Sequence, residues 1–66
     1  MRSENEVINA IIEQVLFGIK KLGWDCDEEW SLRECVEMAE DVVMTDEEAD
    51  AYGDGMTRTV MASIIL

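Results

Sequence analysis

The stretch TDEEADAYGDGMTRTVMASIIL, Thr45 to Leu66, admits two readings, and the choice between them sets the fold class. It opens as a helix. Thr45 and Glu48 have the spacing of a capping box, in which each side chain satisfies the other's free backbone N–H. Asp46 and Glu47 then fall in the first turn, where the helix dipole favours acids. Gly53-Asp54-Gly55 interrupts the pattern. A glycine inside a helix costs about 1 kcal/mol relative to alanine, so the helix could stop there and the remainder form a strand. Phase argues the other way. Ala49, Tyr52, Met56 and Val60 share one helical face, and Asp46, Asp50 and Asp54 share another, straight through the glycines. A strand would also need a pairing partner, and no other segment sustains an alternating pattern. The expectation is a helix over 46–63, kinked near Gly53–Gly55.

The two segments before it read as helices more directly. Ser3 and Glu6 form a capping box at the start of the first, and Gly23 supplies a left-handed stop, which predicts a helix over 4–22. Ile8, Ile12, Val15, Ile19 and Leu22 follow the 4-3-4-3 spacing of a packed seam, which Ile11 widens. Phe17 falls almost opposite that seam and, with Ala10, marks a candidate second contact face. Trp24 to Trp30 is an acidic linker whose indoles are expected to cap the edge of the core. A further box, Ser31 with Glu34, predicts a second helix over 31–44. Its apolar side would be Leu32, Cys35, Val36, Ala39, Val42 and Val43, and its polar side Glu34, Glu37, Glu40 and Asp41. The fold class is therefore all-α, a small three-helix domain occupying residues 1–66.

Chemistry-bearing motifs are scarce. The 66 residues contain no histidine, so no side chain titrates near neutral pH by default. There is no phosphate-cradling glycine loop and no nucleophile motif, and the expectation is that the protein is not an enzyme. Cys26 and Cys35 do not form a CxxC pair, and without histidine a zinc site is not expected. With no signal-like leader, both are expected to be reduced thiols, with Cys35 a small buried hydrophobe. Asp50 and Asp25 each start a superficially chelating run. From Asp50, however, Tyr52 and Met61 occupy calcium-loop positions 3 and 12, and from Asp25 Trp30 and Val36 occupy positions 6 and 12. No metal and no cofactor are expected.

Charge is the most informative property. Five basic residues stand against sixteen acids, for a net charge of −11. Between Asp25 and Gly55 there are thirteen carboxylates and a single basic residue, Arg33. Nucleic-acid binding needs lysine and arginine to displace counterions from phosphates, so this chain is not expected to bind it. No apolar run approaches the ~18 residues of a membrane-spanning helix, and anionic headgroups would repel the surface. Membrane association is not expected, and the expected location is cytoplasmic.

Solubility is served by mixed signs and a net charge of magnitude about 2–8, so a larger, one-sided field costs stability through self-repulsion. A field of this kind fits a strongly basic partner, such as the nucleic-acid cleft of another protein. Glu34, Glu37 and Asp41 would form one row of carboxylates, and Asp46, Asp50 and Asp54 a second. Acids on successive helical turns repeat every ~5.4 Å, a spacing of the same order as consecutive phosphates. In size, charge and helical content, though not in any motif, the chain resembles the small acidic anti-defence proteins of phages and mobile elements: anti-CRISPR proteins and anti-restriction DNA mimics. That resemblance implies a noncatalytic inhibitor that occupies the basic surface of a CRISPR or restriction complex in a bacterial host cell. The alternative is a self-associating helical adaptor, with Phe17, the first helix and the SIIL terminus forming a homodimer contact and the acids serving only solubility.

Overall fold

The computed structural model describes residues 1–65, except for the side chain of Asp54; Leu66 lies outside the described residues. The chain is all-α: α1 Glu4–Lys21, α2 Glu29–Val43, α3 Asp46–Tyr52 and α4 Met56–Ile65, with one turn of 3-10 helix, Gly53–Gly55, between the last two. No strand occurs among the described residues. The segment expected as one helix over 46–63 is thus two helices in direct succession. Gly53, at the junction, has φ +29°, a region that favours glycine.

Local signals explain most boundaries. At α1, Glu6 N–H donates to Ser3 Oγ at 3.3 Å and Ser3 N–H donates to Glu6 Oε1 at 3.2 Å, the expected box. Gly23, at φ +73°, ends the helix as anticipated, and the amides of Leu22 and Trp24 both donate to Gly18 O at 3.0 Å. The Trp24 indole then folds back over Gly18, where any Cβ would strike its six-membered ring. The second boundary differs from expectation. Glu28, not Ser31, is the N-cap of α2. Ser31 sits at the third helical position, where its Oγ accepts from Glu28 N–H at 3.0 Å and donates to Glu28 O at 2.9 Å. Serine there satisfies the cap residue in reverse, and the helix gains two residues at its start. At α3 the Thr45–Glu48 box forms, both bonds at 3.1 Å.

Helix α1 packs against α2 and α4, and α2 packs against α4. The core comprises Val7, Ile8, Ile11 and Val15 from α1, Cys35, Val36 and Ala39 from α2, and Met56 and Val60 from α4. Its centre on α1 is displaced from the expected seam. Ile12 is only partly covered, and Ile19 and Leu22 are 41% and 55% exposed. The buried side of α1 runs instead through Val7, Ile8, Ile11 and Val15, so a 4-3-4-3 seam continued to Ile19 and Leu22 overshoots the contact. Val42 is likewise 64% exposed, at the edge of the α2 stripe, and Trp30 is 65% exposed instead of capping the core.

Two long-range ties were not anticipated. Cys26 and Cys35 form a disulfide, with Cα atoms 6.6 Å apart, so the expectation of two reduced thiols is corrected. The linker doubles back along α2 and brings Cys26 beside the second turn, a path that residue spacing does not reveal. The second tie buries a charge. Glu48 is 2% exposed, whereas Ala49, placed on the inner face by phase, is exposed. The Arg2 guanidinium meets Glu48 bidentately, Nε to Oε2 at 2.9 Å and Nη2 to Oε1 at 2.7 Å. Arg2 Nη2 also donates to Val43 O, and the Tyr52 hydroxyl donates to Arg2 O, both at 2.6 Å. These bonds strap the segment before α1 across the α2–α3 corner. They hold the Glu48 carboxyl down at about 2, mainly through the Arg2 side chain and then the Thr45 amide. Among the described residues, no buried side-chain nitrogen or oxygen lacks a partner.

Candidate functional site

The acid-rich outer surface begins on α2. Glu34, Glu37 and Asp41 are all exposed, three and four residues apart, on the side of the helix away from Val36 and Ala39. Only Glu37 has a cationic neighbour, Arg33 Nε at 3.5 Å, one turn back. Both side chains of that pair are more than half exposed, so it contributes little. The last turn of α2 contains no basic residue, and Glu40 and Asp41 sit near the negative end of its dipole. Helix α2 therefore keeps an arrangement that local electrostatics disfavours.

A shallow cleft joins this surface to α3. Glu40, Asp41 and Asp46 line it, with Met44 and Gly53 between them. Glu40 is partly buried and accepts a hydrogen bond from the Thr57 hydroxyl of α4 at 2.5 Å. Desolvation pushes its carboxyl above the usual range against the pull of that bond, with Glu37 and Asp41 adding to the rise. The residues of the second expected row divide. Asp46 and Asp50 lie exposed on α3, one turn apart. Asp54 lies in the 3-10 turn, so its backbone does not continue the α3 repeat, and its side chain is outside the described residues. The structure therefore brings Glu34, Glu37 and Asp41 onto one helix face and Asp46 with Asp50 onto a second helix across the cleft.

Phe17 is 49% exposed on α1, beside an equally exposed Leu16, and shares no element with either row. Of the fifteen carboxylates whose side chains are described, thirteen are exposed, Glu40 is intermediate and Glu48 is buried. No group of histidine, cysteine, aspartate or glutamate among the described residues is arranged to hold a metal ion. No described helix is long and apolar enough to cross a membrane. The residues that sequence reasoning missed are Arg2, Glu48 and the cystine. Arg2 and Glu48 stand 46 positions apart, and the local signal at Glu48, its capping box with Thr45, does not foretell its burial against an arginine.

These features define a small acidic all-α domain clasped by a disulfide, with carboxylates dominating its outer surface. Compared with protein-family models, curated proteins and solved structures, the chain matches none.

Proposed function

We propose that the protein is a noncatalytic inhibitor or interaction protein that binds a basic, nucleic-acid-handling target through the carboxylates of α2 and α3. The observation that carries this reading is the exposed set Glu34, Glu37, Asp41, Asp46 and Asp50, in which Glu37 alone has a cationic neighbour, and that one exposed. A partner bearing arginines in a nucleic-acid cleft would supply the missing cations, with bidentate geometry where carboxylate meets guanidinium. Such a field speeds encounter and rejects acidic surfaces. The target class is a CRISPR or restriction complex of a bacterial host, with the protein acting in the cytoplasm as a competitor for the DNA- or guide-binding surface. Thiols stay reduced in that compartment, so the assay belongs in both redox states.

The test is affinity capture from bacterial lysate with the full chain as bait, eluted by a salt gradient, followed by inhibition of the recovered complex. Recovery of a nucleic-acid-binding complex released at moderate salt is expected, because exposed charges are screened beyond ~8 Å. Glu34→Ala, Glu37→Ala and Asp41→Ala together should abolish inhibition while helical content is kept. Inhibition that survives the triple change refutes the α2 contact. A second reading, the self-associating adaptor, draws on the exposed apolar residues Leu16, Phe17 and Ile19 of α1. It requires a dimer that Phe17→Glu dissociates.

A further inference from the structure

Between the first turn of α2 and the middle of α4 runs a groove lined by Glu28, Glu29, Trp30, Arg33, Arg58 and Met61. Its two walls are held together by the Thr57–Glu40 hydrogen bond, and the chain entering α2 is anchored by the cystine. The groove differs from the rest of the surface in two respects. Its two glutamates and two arginines cancel, on a chain of net charge −11. At its rim stands Trp30, 65% exposed, above a partly buried Met61. Of the remaining basic residues, Arg2 is committed to Glu48, and Lys20 and Lys21 occupy the last turn of α1.

We propose that this groove is the contact between two copies of the chain, related by a two-fold axis. At such a contact the same patch meets itself, so every group needs its complement within the patch. The groove meets that condition. Glu28 and Glu29 of one copy can face Arg33 and Arg58 of the other, and the Trp30 indole of each copy supplies apolar area that can enter the groove of the other. Exposed tryptophan and arginine are the residue types that most often dominate association energy, and methionine adapts to an aromatic neighbour. Contact through the outer face of α2 or through α3 would instead set carboxylate against carboxylate within a screening length. An acidic ligand is disfavoured by Glu28 and Glu29, and a basic one by the two arginines. A second copy satisfies both signs. The contact leaves α3 and the C-terminal half of α2 uncovered, and it does not depend on the inhibitor reading.

The test is sedimentation equilibrium of the full chain over a concentration series, with circular dichroism on every variant. A mass that rises from one 7.5 kDa chain toward two is expected. Trp30→Ala and Arg58→Glu should each weaken dimerisation by about tenfold or more. Glu29→Arg combined with Arg58→Glu should restore it, because opposite charges again face one another across the axis. Trp30 and Arg58 are both exposed and lie outside the core, and these changes leave the core intact. A monomer at every concentration up to about 1 mM overturns the proposal. So does a dimer that Phe17→Glu dissociates but Trp30→Ala and Arg58→Glu leave unchanged. A charge-swapped pair as weak as Arg58→Glu alone overturns it as well.

Discussion

Reducing the Cys26–Cys35 bond should destabilise the domain substantially without dissolving its helices. The bond joins residues nine apart in sequence. Cross-linking a loop of about ten residues removes chain entropy from the unfolded state worth about 2.7 kcal/mol at 25 °C. A 66-residue domain has a total stability of roughly 3–10 kcal/mol on a per-residue basis, so the bond is a large share of it. At about 4–8 °C per kcal/mol for domains of this size, reduction should lower the melting temperature by roughly 10–20 °C. Thermal melts followed at 222 nm, with and without reductant, read this directly. Because the effect resides mainly in the unfolded chain, the helical signal of the reduced protein well below its melting point should match that of the oxidised one. Cys26→Ala with Cys35→Ala should melt at or below the reduced wild type and should not respond to reductant. Cys35 is 2% exposed, so its truncation adds a small packing loss that reduction avoids. Oxidised and reduced melts that agree within about 3 °C would refute the reasoning.

The Arg2–Glu48 strap makes a pH prediction with a definite sign. Glu48 is depressed to about 2 in the folded protein from an ordinary 4.5, so its stabilisation is present above the unfolded value and is lost as pH falls through about 2. The stability gap between wild type and Glu48→Gln, measured by urea melts, should be full near pH 6 and close toward pH 2; a constant gap would show that the strap does not depend on charge. Glu40 runs oppositely: burial raises its carboxyl, so its titration favours the fold below its ordinary range and Glu40→Gln should raise stability at neutral pH, provided the Thr57 bond is retained. Gly18→Ala should expel the Trp24 indole and cost about 1–3 kcal/mol. In a Trp30→Phe background, emission from Trp24 should move to longer wavelength, and an unshifted spectrum would contradict the packing of that ring on Gly18.

The helical character of Asp46–Ile65 was legible because the Thr45–Glu48 box opens it and no other segment alternates to pair with a strand; the inner face drawn through the glycines holds for Met56 and Val60 but not for Ala49. The stop at Gly23 and the boxes at Ser3 and Thr45 were legible for a related reason, since each is a bond between residues three apart or a conformation that one glycine permits. The α2 boundary was misread because Ser31 bonds backward to Glu28 as readily as a serine bonds forward from a cap. The outer carboxylates of α2 could be placed from periodicity, but the row through Asp54 could not, since a single 3-10 turn changes the repeat after Tyr52.

By itself the sequence determined the all-α class, the polar outer side of α2 and the one-sided charge, because helix periodicity, capping and composition act over a few residues. Tertiary structure alone decided that Glu48 is buried against Arg2, that Ile19, Leu22 and Val42 face solvent, and that Cys26 bonds Cys35. It also brought Arg33 and Arg58 to one groove beside Trp30. Each of these depends on how helices cross and where the linker runs, and residues 9 to 46 positions apart meet only after the core of Ile11, Val36 and Val60 has set those paths.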